Sequence, residues 1–126
     1  MWQVEEEFPF PGLVRLLLPI NYRLSTMNFV KASTLSDLKP GQCKAVEIGG
    51  KTIALFNVDG TVYALDNTCL HQGGPLGEGI LEKDIVTCPW HMWEYNVRTG
   101  EHLGDPPLKV ETYPVQVEGN DIKVAV

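Results

Sequence analysis

The sequence has few cysteines, few basic residues and no long apolar run. Only three of its 126 residues are cysteine, too few for the disulfide framework that holds small secreted domains together. Lysine and arginine number 10 against 16 aspartates and glutamates, so the formal net charge is -6. Binding to nucleic acid needs a basic face, and we therefore expect no nucleic-acid partner. A reducing cytoplasm is the expected compartment.

The apolar run over residues 13–20 is too short to span a membrane. It contains Arg15, whereas a membrane helix needs about twenty consecutive apolar residues. The acidic residues 5–7 also differ from the basic start of a secretory signal. We expect no membrane span and interpret residues 1–27 as an N-terminal extension, either native or translated from an upstream start codon. The main domain is expected over residues 28–126.

Turn residues from position 28 onward predict short antiparallel strands, and no segment has a long helical period. Gly49-Gly50 and Asp59-Gly60 favour tight hairpin turns, which need positive backbone φ. The imperfect alternation over 61–65 predicts a strand covered on both faces. The N-terminal part is thus predicted to have strands at 29–32, 43–48, 52–58 and 61–65, with one helical turn or loop over 33–39.

A segment rich in glycine and proline, about 66–108, follows this meander. Within it, 80–81 and 84–87 are predicted to form a short hairpin. Two strands are predicted beyond it, at 110–117 and 122–126, joined by a turn over 118–121. The fold class is therefore all-β, with one segment inserted between an N-terminal meander and a C-terminal hairpin.

The inserted segment contains two short pairs of metal-ligating residues. Cys69-Leu70-His71 and Cys88-Pro89-Trp90-His91 are separated by the sixteen residues 72–87. Residues i and i+2 of an extended segment face the same side, and the second pair has a turn spacing. Two such loops can hold one zinc ion tetrahedrally or a two-iron cluster whose ends have different ligands.

The third cysteine and the third histidine fall outside these pairs. Cys43 lies in an apolar stretch and is interpreted as a small core side chain. His102 lies eleven residues after His91 and is interpreted as an exposed or capping histidine rather than a ligand.

These motifs resemble the Rieske [2Fe-2S] family, specifically its small soluble ferredoxins. The likeness rests on the C-x-H and C-x-x-H pairs, on the segment 90–100 (WHMWEYNVRTG) and on the proline segment 104–108 (GDPPL). It covers residues 28–126. The resemblance implies a Rieske-like antiparallel β-sandwich or barrel with an inserted cluster-binding subdomain.

The resemblance also implies a cofactor and a role. Cys69 and Cys88 would hold one iron of a [2Fe-2S] cluster, and His71 and His91 the other. The side chains expected next to the cluster are Trp90, Trp93, Tyr95 and Pro106. The chain would be a monomeric one-electron carrier rather than an enzyme, with a reductase and a terminal oxygenase as protein partners.

The flanking residues predict a reduction potential at the low end of the family range of about -150 to +300 mV. High-potential members have a disulfide between the ligand loops and a serine that donates to a sulfide. Here no further cysteine pair exists, and Trp93 stands at the serine position. Tyr95 matches the family's tyrosine that donates to a cysteine sulfur.

Two other functions stay open on the sequence alone. One is a structural Cys2His2 zinc site, although its C-x-H spacing is unusual for zinc. The other is the small Rieske subunit of an NAD(P)H nitrite reductase. In either redox role, an acidic rim near the ligands would face a basic protein partner, and its members are Glu78, Glu82, Glu94 and Asp105.

Overall fold

A computed structural model describes residues 28–126, and they form ten strands and two single turns of 3₁₀ helix. The expectations for residues 1–27 lie outside these residues. None of the helical turns in residues 28–126 is long and apolar enough to cross a bilayer. The strands are β1 (Phe29–Thr34), β2 (Cys43–Ile48), β3 (Lys51–Val58), β4 (Thr61–Asp66), β5 (Ile80–Glu82), β6 (Ile85–Thr87), β7 (Glu94–Asn96), β8 (Thr112–Tyr113), β9 (Val115–Glu118) and β10 (Asp121–Ala125). The 3₁₀ turns are Leu35–Asp37 and Leu76–Glu78.

The predicted meander is confirmed as the centre of a four-stranded antiparallel sheet in the order β2-β3-β4-β8. Both predicted hairpins are present, and Gly49, Gly50, Asp59 and Gly60 all have positive φ. These dihedral angles match the twist of the flanking strands, which is why the two turns fix the register of three strands.

The central sheet is covered on both faces, as the pattern of β4 predicts. Paired residues share a face, so Ala54 and Leu65 lie on one side, and Leu55 and Ala64 lie on the other. The first side packs against the inserted segment, including Val86 and Tyr95, while the second packs against β10. Buried apolar surface on both sides makes this sheet a rigid support for the ligand loops.

The two chain ends of the described domain form a second antiparallel sheet in the order β1-β10-β9. The prediction of a single strand over 110–117 is wrong. This segment is divided at Pro114 into β8, which pairs with β4, and β9, which pairs with β10. Proline has no N–H to donate to a ladder, so the chain changes sheets at this residue.

The inserted segment has its own three-stranded sheet, β5-β6-β7, which contains the predicted short hairpin. Val86 pairs with Tyr95, and both are fully buried against the central sheet. The two ligand loops leave this support: the first follows β4, and the second joins β6 to β7. The all-β antiparallel fold is confirmed.

Candidate metal centre

The first ligand loop folds back on itself directly after β4. The N–H of Cys69 donates to the carbonyl oxygen of Gly74 at 2.9 Å, and the N–H of Gly73 donates to that of Cys69, also at 2.9 Å. Gly73 has a φ of 77°, a conformation that glycine adopts without strain. This closed turn fixes Cys69 at its base and leaves His71 at its tip.

The second ligand loop is closed in a similar way between β6 and β7. The N–H of Cys88 donates to the carbonyl oxygen of Trp93 at 2.7 Å, and the N–H of Met92 donates to that of Cys88 at 3.0 Å. Met92 has a φ of 64°, which is unusual for a residue with a side chain. The turn again fixes the cysteine at the base and the histidine, His91, at the tip.

The two predicted cysteine ligands are buried together beneath these turns. Cys69 is 2% exposed and Cys88 is 1% exposed, and both belong to the core on the cluster side of the central sheet. Burial raises the pKa of the Cys88 thiol, and the neighbouring Cys69 raises it further. The backbone N–H groups of Trp90 and His91 donate toward this sulfur and lower its pKa. A cation bound here would therefore stabilise the Cys88 thiolate, which the apolar surroundings disfavour.

The space around these sulfurs is closely limited by Gly74. A Cβ atom at this position would lie 2.5 Å from the Sγ of Cys88 and 3.1 Å from the Cγ of Trp90. No side chain fits without displacing the second loop. The sequence contains no signal for this contact, because it joins two loops that only the fold brings together.

The two predicted histidine ligands lie at the surface, next to one another. The ring centroids of His71 and His91 are 4.7 Å apart, with an edge-to-face angle of 78°. The Nε2 of His91 is 2.8 Å from the Oε1 of Gln72, an acceptor-only atom, so Nε2 carries the proton in this hydrogen bond. Gln72 is a residue that the sequence did not single out. It links the two loops at their tips.

Tyr95 forms a hydrogen-bonded connection between the backbone and a cysteine ligand. The N–H of Leu70 donates to the Tyr95 hydroxyl at 3.1 Å, and this hydroxyl lies 3.3 Å from the Sγ of Cys69, to which it donates when that sulfur is a thiolate and has no proton of its own. Burial raises the pKa of Tyr95, and the hydrogen bond with Cys69 raises it further. The hydroxyl thus stays protonated and acts as the donor.

The other residues expected next to the cluster have different placements. Trp93 is partly buried and stacks on His71, with centroids 4.5 Å apart and an interplanar angle of 12°. Trp90 is 57% exposed, and Pro106 is also exposed. Cys43 is partly buried and its thiol donates to the Gly79 carbonyl oxygen at 3.3 Å.

The expectation that His102 is exposed or caps a segment is wrong. Its ring lies 4.2 Å from the ring of Trp93 and 5.4 Å from that of Tyr95, measured between centroids. Its Nδ1 atom is buried and has no hydrogen-bond partner within the part of the chain that the structure describes. The turn at 98–100 reverses the chain and places His102 opposite Tyr95, a pairing that the Thr99-Gly100 turn signal could have indicated.

The arrangement of the four donors fits a two-iron cluster better than a single ion. In the described residues 28–126, no group of three or more Cys, His, Asp or Glu side chains converges closely enough to hold one metal ion. Tetrahedral zinc needs four ligands within about 2.0–2.3 Å. A Rieske cluster needs only two protein ligands for each iron, which matches a buried thiol pair beside an exposed imidazole pair.

Comparison with known proteins supplies the family. The family model for the Rieske [2Fe-2S] domain matches residues 28–114. The chain belongs to the Rieske [2Fe-2S] family. It is 39% identical over 94 residues to the ferredoxin component of the naphthalene 1,2-dioxygenase/salicylate 5-hydroxylase systems of Ralstonia sp., covering 74% of this chain and 90% of that protein.

Solved structures of Rieske ferredoxins share the fold. The ferredoxin of carbazole 1,9a-dioxygenase from Nocardioides aromaticivorans IC177 is 34% identical, with a TM-score of 0.71, and the match covers 77% of this chain and 96% of that chain. A chain in a complex of reduced oxygenase and oxidized ferredoxin of carbazole 1,9a-dioxygenase is 31% identical, with a TM-score of 0.70, over 77% of this chain and 92% of that chain. The cofactor of this Rieske chain is a [2Fe-2S] cluster, and its function is electron transfer.

Proposed function

We propose that this Rieske chain carries single electrons from a reductase to the terminal oxygenase of a dioxygenase system that acts on aromatic compounds. Cys69 and Cys88 hold one iron, and His71 and His91 hold the other. The observation that carries the proposal is the pairing of two buried thiols with two adjacent, exposed imidazoles. The relatives named above, which are ferredoxin components, support a carrier over a nitrite reductase subunit.

The [2Fe-2S] cluster supplies a site that gains and loses one electron at a time. The protein residues control how this site meets water and partners. Cys69 and Cys88 lie under the ligand loops, so one end is shielded from water. His71 and His91 lie at the surface, where a partner can approach within a short distance of the cluster.

The residues beside the two histidines favour a partner with an apolar contact surface. Leu70, Trp90 and Met92 are 46%, 57% and 65% exposed, and we name these three residues the apolar collar. They flank His71 and His91 in the sequence. Large exposed apolar side chains of this kind are typical of protein interfaces, and tryptophan often contributes most to their affinity.

Four carboxylates offer a further contribution to docking. Glu78, Glu82, Glu94 and Asp105 are all exposed. We propose that they form an acidic rim that attracts a basic partner, which predicts slower association with that partner as ionic strength rises. Three cysteines are too few for a disulfide framework, so we also propose a reducing cytoplasm as the compartment. We further propose that the free carrier is monomeric.

The experiment is metal analysis of the purified chain followed by stopped-flow electron transfer. We expect two irons and two acid-labile sulfides per chain, and rapid reoxidation of the reduced chain by a ring-hydroxylating oxygenase. A colourless chain with one zinc ion would contradict the cluster. A normal cluster that exchanges electrons with no such oxygenase or reductase would contradict the proposed partners.

A further inference from the structure

His102 belongs to neither ligand pair, but its ring contacts two aromatic residues that lie next to the first pair. The ring centroid is 4.2 Å from that of Trp93, at an angle of 45°, and 5.4 Å from that of Tyr95. Trp93 in turn stacks on the ligand His71, and the Tyr95 hydroxyl donates to the ligand Cys69. The His102 ring thus contacts two side chains, Trp93 and Tyr95, and each of these contacts one of the proposed iron ligands.

The backbone holds His102 firmly in this position. Its N–H donates to the carbonyl oxygen of Leu108 at 2.9 Å, and the N–H of Leu103 donates to that of Glu94 at 3.0 Å. His102 also forms a bridge with Tyr95 across the chain reversal. A Cβ atom at Gly104 would lie 3.0 Å from the His102 Cε1, so this glycine leaves the room that the ring occupies.

The Nδ1 atom of His102 is buried and has no hydrogen-bond partner among residues 28–126. No hydrogen bond of this atom therefore positions the ring, which leaves the ring contacts and the backbone to do so. The imidazole ring of His102 meets the indole of Trp93 at a tilted angle of 45°. Aromatic pairs at such a short centroid distance stabilise one another beyond simple burial of area.

We propose that His102 is a positioning residue of the cluster, which holds Trp93 against the ligand His71 and Tyr95 beside the ligand Cys69. This inference rests on the proposed ligand assignment. Without the His102 ring, the indole of Trp93 loses one of the two ring contacts that position it. His71 then gains freedom of orientation, and water gains access to the histidine-ligated iron.

The test compares His102→Ala with His102→Phe in the cluster-loaded protein. Phenylalanine keeps an aromatic ring at this position, whereas alanine removes it. We expect His102→Ala to change the electron paramagnetic resonance g values of the reduced protein and to raise its reduction potential, because water stabilises the more negative reduced state. Iron release to a chelator should become about two- to tenfold faster, the range that one aromatic pair contributes. His102→Phe should restore all three properties.

Leu103→Ala is the matched control, because Leu103 is the exposed sequence neighbour of His102. It should leave the g values, the potential and the rate of iron release unchanged. Circular dichroism of each variant identifies any that fails to fold. If His102→Ala is folded and matches the unsubstituted protein in all three properties, the proposal is wrong. If His102→Phe behaves like His102→Ala, the aromatic ring at this position is not the cause of the changes and the proposal is also wrong.

A double variant tests whether His102 acts through Trp93. In a Trp93→Leu background, the stack on His71 is already removed, so His102→Ala should cause little additional change in the g values. Full additivity of the two substitutions would overturn the proposed route. Failure of the ligand assignment has a different signature, since His71→Ala would then keep the native visible spectrum whatever is placed at position 102.

Discussion

The thiol side and the imidazole side of the metal centre differ in burial, although each ligand loop contributes one residue to each side. Cys69 and Cys88 are fully buried in the core that faces the inserted segment, whereas His71 and His91 are exposed. The thiol side is supported by the central sheet, through residues such as Phe56 and Leu65. The imidazole side is supported by contacts between the tips of the loops, such as that of Gln72 with His91.

With the proposed ligand assignment, this difference explains how one small domain both protects a cluster and exchanges electrons with partners. Burying both ends would insulate the cluster and increase the distance to a partner. Exposing both ends would admit water to the thiolates and leave the glycine-rich loops without a core. The placement of cysteine at the base of each turn and histidine at its tip satisfies both requirements.

Removing a ligand from either side should have the largest effect, which is loss of the cluster. The two sides should differ in how the substitution changes the stability of the apoprotein. We expect Cys88→Ala and His91→Ala each to abolish the iron content and the visible spectrum. Cys88→Ala removes a buried atom and should also lower the free energy of unfolding of the apoprotein by about 1 kcal/mol. His91→Ala removes an exposed side chain and should leave that free energy within about 0.5 kcal/mol. Metal analysis and urea unfolding measure the two effects.

Cys43→Ala is the control for the ligand variants, because Cys43 is the remaining cysteine and donates to a backbone carbonyl oxygen instead. It should keep a full complement of iron. Retention of the native spectrum in Cys88→Ala or His91→Ala would contradict the ligand assignment.

A change at Gly74 should break the thiol side without altering any ligand. In Gly74→Ala the new Cβ would meet the Cys88 sulfur at 2.5 Å, so the second loop must move. We expect a large loss of iron loading. The control is Gly73→Ala, whose Cβ would have its nearest neighbour, the Thr68 Cγ2, at 3.9 Å. An alanine at the positive φ of this position should lower the free energy of unfolding by about 1 kcal/mol, while iron loading stays high. Equal iron loading in the two variants would show that contact with Cys88 is unimportant.

Local sequence signals predicted the parts of the fold that local geometry determines. The hairpins at Gly49-Gly50 and Asp59-Gly60 are confirmed because positive φ at these residues favours a tight turn in any context. The all-β class follows from such turns and from the short strands between them. Pro114 shows the limit: its residue type predicts a break, but the exchange of sheets on either side depends on the partners β4 and β10.

The ligand pairs were visible in the sequence because each pair lies within one loop. The contacts between the loops were not visible, since Gln72 meets His91, and Gly74 meets Cys88, only after the central sheet brings the two loops together. His102 was misinterpreted for the same reason. Its neighbours Trp93 and Tyr95 face it only after the chain reverses. The ligand assignment therefore stays a prediction from spacing and resemblance, whereas the fold determines what surrounds the four residues.

Changes in the apolar collar should affect the imidazole side alone. We expect Trp90→Ala to lower kcat/KM for electron transfer to the oxygenase about tenfold, because truncating an exposed aromatic anchor typically costs about 1–2 kcal/mol of binding. Met92→Ala should have a smaller effect in the same direction. The reduction potential should not change in either variant. Steady-state kinetics with varied carrier concentration measures the effect.

The control for the collar is Val117→Ala, an exposed apolar residue on β9, outside both ligand loops. It should transfer electrons at the rate of the unsubstituted protein. If Val117→Ala slows transfer as much as Trp90→Ala does, the imidazole side is not the docking surface.

The smallest effect is expected at Tyr95, which affects the reduction potential through a hydrogen bond and is not itself a proposed metal ligand. The Tyr95 hydroxyl donates to the Cys69 sulfur at 3.3 Å, and this hydrogen bond is stronger when the cluster carries the additional negative charge of the reduced state. Tyr95→Phe should therefore lower the reduction potential. A difference of about 1 kcal/mol between the two states corresponds to roughly 40 mV for one electron.

Tyr63→Phe is the matched control, since Tyr63 packs against the same core and no hydrogen bond joins its hydroxyl to a ligand in the described residues. Protein-film voltammetry measures both variants, and an unchanged or raised potential in Tyr95→Phe would show that the hydroxyl does not stabilise the reduced state through Cys69.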